Sequence, residues 1–171
     1  SVNDWKARGV VYLTEDRKGK GLLLDDELAP NLTLTALSEV HPRVMLRPAR
    51  ETRALRGAVS DYDIRVRSIR LTAGQLSGGN QQKLLLAKVM LTDPSVVIID
   101  EPTRGIDIGN KSQIYEFIDS LVRGGKACVV ISSELSELVG IADRILVMRG
   151  GRIAAEMTGD EIRSEEHTSE L

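Results

Sequence analysis

Apolar residues along this chain fall into two patterns. Ser95-Val96-Val97-Ile98-Ile99-Asp100 is a short β-branched run entered through Asp93-Pro94, and Ala127–Ser132 and Arg144–Met148 repeat the type, so all three predict strands buried on both faces. Between the first two, Ile114, Phe117, Ile118 and Leu121 recur at i, i+3, i+4 and i+7, which puts one apolar stripe on a helix that Gly124-Gly125 ends. Leu84, Leu85, Ala87, Lys88 and Leu91 follow Gly78-Gly79 at helical spacing, and a second short helix is expected from about Ser133 to Ala142. Strands alternating with helices predict an α/β fold with a mostly parallel sheet, closed by a hairpin turning at Arg149-Gly150-Gly151-Arg152. Residues 25–70 lack long β-branched runs and carry Pro30, Pro42 and Pro48, which predicts an extended lead-in and then a helical lobe.

Composition narrows the function classes. With 171 residues, 42% of them apolar, the chain can bury the core of one domain or part of one. Lysine and arginine number 23 against 25 acids, a net charge of −2, which argues against a nucleic-acid grip built on bulk positive charge. The charge is uneven: eight arginines lie between His41 and Arg70, whereas six acids face Arg163 alone after Ile153. Arg50, Arg53 and Arg56, with Ala49, Ala54 and Leu55 between them, read as the solvated face of a helix. No apolar run approaches the roughly 18 to 20 residues that cross a bilayer. Cys128 is the only cysteine and lies inside an apolar run, so it reads as a small core residue in a reducing, cytoplasmic setting. The chain opens at Ser1 without a leader pattern, and a piece of a longer protein is expected.

Two segments carry chemistry. In Leu76-Ser77-Gly78-Gly79-Asn80-Gln81-Gln82-Lys83 a serine and two glycines lead into a helix. Glycine lets backbone amides approach an anion, and the helix N-terminus adds partial positive charge, so the arrangement suits a terminal phosphate. Taken alone, the same residues also fit a plain helix N-cap. The second segment is the strand ending Asp100-Glu101-Pro102-Thr103-Arg104-Gly105-Ile106-Asp107. It delivers adjacent carboxylates to the ligand-binding edge of a parallel sheet, where Asp100 suits Mg²⁺ held through water and Glu101 suits orienting an attacking water. Two exposed loop acids are the plainer alternative.

Together these segments resemble the signature motif, Walker B strand and D-loop of the ATP-binding cassette (ABC) ATPases. The forms Leu76–Lys83 and Asp100–Asp107, with Tyr12-Leu13-Thr14-Glu15-Asp16-Arg17-Lys18 upstream, are similar to the second cassette of the tandem ATPase subunits of monosaccharide importers of the ribose, xylose and galactoside type. The resemblance runs from about Gly9 to Thr158. It implies a P-loop NTPase-like cassette fragment over residues 1–162, with a helical signature lobe at about 25–92 and a Walker B and C-terminal α/β part at 93–158. It further implies ATP and Mg²⁺ as cofactors. Ser77, Gly78, Gly79 and Asn80 would approach the γ-phosphate of ATP held by an opposite cassette. Asp100 would be the magnesium-associated carboxylate, Glu101 the catalytic base and Asp107 the aspartate that communicates across the cassette dimer.

Three departures from the family pattern stand out. No Gly-x-x-x-x-Gly-Lys-[Ser/Thr] phosphate loop occurs, and Gly19-Lys20-Gly21 lacks its spacing, so truncation on the N-terminal side is expected. Glutamine is missing near Thr14 and Glu15, and Ser133-Glu134 follow the strand Val129–Ser132 where a histidine contacting the γ-phosphate is expected. His41 and His167 read as solvated surface residues rather than substitutes. Residues 163–171 resemble one reading frame of a sequencing adapter and are set aside as a non-native tail, a genuine polar tail being the alternative. The resemblance implies a peripheral subunit on the cytoplasmic face of the membrane that energises uptake of a simple sugar, with a second cassette, a permease and, indirectly, a sugar-binding protein as partners, and no nucleic acid. A soluble ABC ATPase outside transport, or a regulatory cassette with degenerate hydrolysis, is the rival reading.

Overall fold

The computed structural model describes residues 2–14, 16, 19, 21–41, 47–106, 108–159 and 161–162. The chain divides into two compact units, Ser1–Ile131 and Ser132–Leu171.

The first unit is built on three parallel strands, β1 (Val10–Leu13), β2 (Val96–Asp100) and β3 (Ala127–Ile131), in the order β1-β2-β3. The register sets Tyr12 beside Ile98 and Asp100 beside Ile131. Because side chains alternate, Leu13, Val97 and Ile99 share one face and are buried, whereas Tyr12, Ile98, Asp100, Val129 and Ile131 share the other. On that second face Tyr12, Val129 and Ile131 are 55%, 49% and 47% exposed. The parallel β2–β3 pair with its intervening helix is the expected βαβ unit, and the strand and helix read from the sequence at 95–123 both form.

Around the sheet, α1 (Val2–Ala7) precedes β1, and a helical lobe of α2 (Leu28–Thr33), α3 (Leu37–Val40) and α4 (Pro48–Asp61) separates β1 from α5 (Gly78–Met90). The helix α6 (Ile108–Arg123) links β2 to β3. Pro30 and Pro48 stand in the first turns of α2 and α4, where their missing N–H costs nothing, so they open helices rather than break them. Pro42 lies outside the described residues. The arginines of α4 are exposed as expected, while Leu55 and Ala58 turn inward with Leu28, Leu32 and Ile64.

His41 corrects the sequence reading. It is only 8% exposed, its Nδ1 accepts the Arg47 N–H at 3.1 Å, and its Nε2 faces Glu51 Oε1 at 3.3 Å. The ring therefore bridges the end of α3 to the start of α4, and composition alone gave no periodic signal for that. His167 lies outside the described residues.

Asn31 holds the lead-in to the lobe. Fully buried, it accepts the Leu23 N–H at 2.7 Å through Oδ1 and donates through Nδ2 to Leu23 O at 2.8 Å. Asn31→Ala leaves both backbone groups without that partner, and a loss of about 2–3 kcal/mol of stability is expected in urea unfolding. An unchanged urea midpoint would contradict this role.

The second unit contains α7 (Leu135–Val139) and a hairpin of β4 (Arg144–Arg149) and β5 (Arg152–Thr158). Gly150 and Gly151 take φ of +57° and +75°, the left-handed pair that a two-residue hairpin turn requires, and so the turn forms where the sequence placed it. For Arg144–Met148 the expected strand forms and pairs antiparallel with β5 through the expected hairpin, and only its burial is overturned: most of β4 is exposed, because a two-stranded ribbon supplies no second layer to cover an apolar run.

Candidate active site

The approach to α5 is fixed before the helix begins. A short 3-10 turn at Ala73–Gln75 carries a capping box in which Thr72 and Gln75 satisfy each other's backbone N–H, and buried Leu76 follows. Ser77 is the N-cap of α5: its Oγ accepts the Asn80 N–H at 3.4 Å and the Asn80 side-chain N–H at 2.9 Å. Asn80 Oδ1 in turn accepts the Arg65 N–H at 2.8 Å, which ties the loop after α4 to the signature serine. Below it, buried Gln81 donates to Ala73 O and Leu76 O, both at 3.2 Å.

Ser77, Gly79 and Asn80 line a cavity of about 160 Å³ together with Arg65, Lys83, Gln113 and Ile114. Two cationic side chains and a helix N-terminus give it the character of an anion site. Asp63, in the left-handed region at φ +46°, anchors the cations through a 3.2 Å pair with Lys83 Nζ and a 3.7 Å contact with Arg65 Nε.

The carboxylate pair stands elsewhere, at the C-terminal end of β2, and neither residue lines that cavity. Asp100 Oδ2 accepts the Tyr12 hydroxyl at 2.5 Å. Glu101 has φ +45°, an uncommon conformation for a residue with a Cβ, and its N–H donates to Ile131 O at 2.8 Å. Buried Pro102 and Thr103 follow. Asp107 lies outside the described residues.

Magnesium keeps much of its hydration and usually takes one or two carboxylates plus phosphate oxygens. Asp100 and Glu101 provide hard oxygen donors of that kind, and among the described residues no cluster of three or more His, Cys, Asp or Glu builds a closed cage. Two hard carboxylate donors fit Mg²⁺.

Sequence reasoning missed four contributors. Arg65 offers a backbone N–H, for which no side-chain pattern exists. Gln81 and Lys88 lie on the same side of α5 as Leu84 and Leu85, and polar residues at such core-facing spacing were a readable signal. The Lys88 ammonium donates to Gly21 O at 2.7 Å, and burial lowers its pKa, so it ties Gly21 to the signature helix. Tyr12 required the β1–β2 register. Cys128 is half-buried, and burial pushes its thiol pKa up.

Residues 8–104 match the ABC transporter family. The chain belongs to that family. A ribose import ATP-binding protein of Burkholderia ambifaria is 49% identical to this ABC chain over 151 residues, covering 88% of the chain and 29% of the relative. A xylose import ATP-binding protein of Moorella thermoacetica is 44% identical over 162 residues, covering 95% and 32%. The ABC chain therefore spans about 30% of the length of the curated relatives it matches. Among solved structures, a dimeric ATP-binding cassette in a post-hydrolysis state with ADP and Pi superposes with a TM-score of 0.74 at 22% identity, covering 92% of this chain and 67% of that one. A protein from Clostridium perfringens that is part of an ABC transporter complex gives 0.73 at 18% identity, covering 95% and 62%. These structures establish the cassette fold for the ABC chain.

Proposed function

We propose that this chain is the signature and Walker B part of an ATP-hydrolysing cassette, the second of a tandem subunit, that energises import of a simple sugar. One observation supports the reading: Ser77, Gly79 and Asn80 line a cavity that neither Asp100, at the end of β2, nor Glu101 lines. Facing a second cassette, the cavity and the carboxylate pair would each serve a different nucleotide. Ser77 Oγ and the first amides of α5 would donate to the γ-phosphate of ATP held opposite, with Asn80 holding the hydroxyl in place. Glu101 would orient a water in line with the phosphate of the ATP held by this cassette and take its proton. Asp100 would hold Mg²⁺, which when bound neutralises charge on the β- and γ-phosphates. Asp107 would act across the dimer.

The simple-sugar class rests on likeness to the ribose and xylose import proteins, and with it the partners: a permease, indirectly a sugar-binding protein, and a place on the cytoplasmic face of the membrane. Among the described residues no helix is long and apolar enough to cross a membrane, which agrees with a peripheral role. A second reading, a regulatory cassette that binds without hydrolysing, is favoured by Ser133 and Glu134 at the position of the absent histidine. Ser132 Oγ there accepts the Glu134 N–H at 3.1 Å and donates to Glu137 at 3.0 Å.

The test is ATP turnover by the complete subunit reconstituted with its permease and binding protein. Ribose, xylose or galactose is expected to raise turnover several-fold. Turnover indifferent to every simple sugar tried would overturn the importer reading and favour a soluble ABC ATPase.

A further inference from the structure

Tyr12 combines exposure with a long reach. Its ring is more than half exposed, yet its hydroxyl reaches across 88 positions of sequence to Asp100. The parallel register accounts for the reach: Tyr12 sits beside Ile98, so Asp100 is the next residue along β2 on the same face. An O–H donated to a carboxylate at 2.5 Å is a strong, charge-assisted hydrogen bond. It occupies one Asp100 oxygen and fixes the plane of the carboxylate, and the other oxygen remains to accept from a metal-bound water.

We propose that Tyr12 is a positioning residue for the metal: its hydroxyl orients Asp100 so that the carboxylate receives nucleotide-borne Mg²⁺ without first having to order. The inference rests on the reading of Asp100 as the magnesium-associated carboxylate. A ligand already held by a partner loses less freedom when it binds, which is how groups behind a metal ligand raise affinity.

The test uses the complete subunit with the other cassette's own nucleotide site disabled and Glu101→Gln present to stop hydrolysis. Nucleotide affinity is measured with and without Mn²⁺, and the ratio of the two is compared among Tyr12, Tyr12→Phe and Asp100→Asn. Tyr12→Phe is expected to lower the ratio by about 10-fold and to leave metal-free affinity unchanged. Asp100→Asn should lower it at least as far. An unchanged ratio in Tyr12→Phe beside a lowered one in Asp100→Asn overturns the inference and leaves the Asp100 reading intact. An unchanged ratio in Asp100→Asn means that the Asp100 reading itself fails. Equal loss of affinity with and without Mn²⁺ in Tyr12→Phe would assign Tyr12 a merely structural role. Should Tyr12→Phe not fold, 3-fluorotyrosine placed at position 12 decides: its fluorine resonance is expected to move when Mg²⁺ joins the bound nucleotide, and a static resonance would overturn the inference.

Discussion

Glu101→Gln in the complete subunit is expected to lower ATP turnover at this cassette's site by about 10²- to 10⁴-fold, the usual worth of a positioned general base. Glutamine keeps the length and hydrogen-bonding shape of the side chain and bears the same cost at φ +45°. The change thus removes the base and little else. Nucleotide affinity should hold, because the residues that grip ATP are not altered. Single-turnover hydrolysis with the other cassette disabled is the measurement that checks it. Unchanged turnover would favour the regulatory reading, in which Ser133 and Glu134 mark a site that binds without hydrolysing.

The second large effect is expected at Ser77. Its hydroxyl caps α5 and, in the proposed closed state, donates to a phosphate, and a simple truncation would disturb both roles. Ser77→Asp separates them. Aspartate is as good an N-cap as serine, so stability should stay within about 0.5 kcal/mol. A carboxylate facing the γ-phosphate replaces a donor with a like charge, and loss of even one donor to a developing charge costs about 10²–10³ in rate. Turnover at the opposite cassette's nucleotide should fall by at least that much, while Ser77→Thr, which keeps the hydroxyl, should retain most of it. Loss of stability in Ser77→Asp, or loss of rate in Ser77→Thr alone, would contradict the assignment.

The legible parts of the fold were those whose signal is local. The run Val96–Ile99, the stripe Ile114–Leu121 and the glycine turn at Gly150-Gly151 each state their structure within a few residues. The four residues of β1 were too few to register as a strand, and with β1 went the Tyr12–Asp100 bond, which joins residues 88 positions apart and exists only once the two strands are aligned. Burial was harder still. Ile145 in β4 is buried while Met148 and Ile153 are exposed, because an apolar run does not disclose whether a second layer will cover it. His41 failed for a related reason: one polar residue on a short helix end becomes interior only when α4 packs beside it. The candidate site followed the same rule. Ser77, Gly78, Gly79, Asp100 and Glu101 were nameable from motif spacing, and Gln81 and Lys88 were signalled by their core-facing spacing without their partners, whereas Arg65 and Asn80's link to it emerge only from packing between elements.

The central claim is that the signature residues and the carboxylate pair serve different nucleotides. Ser77→Cys in the complete subunit, treated with an ATP analogue bearing a thiol-reactive group on its γ-phosphate, tests it directly. Background labelling at Cys128 should be slow, since burial raises that thiol's pKa. Labelling of residue 77 is expected to vanish when the phosphate-loop lysine of the other cassette is replaced and to persist when this cassette's own lysine is replaced. The reverse pattern would place Ser77 on this cassette's own ATP and contradict the account.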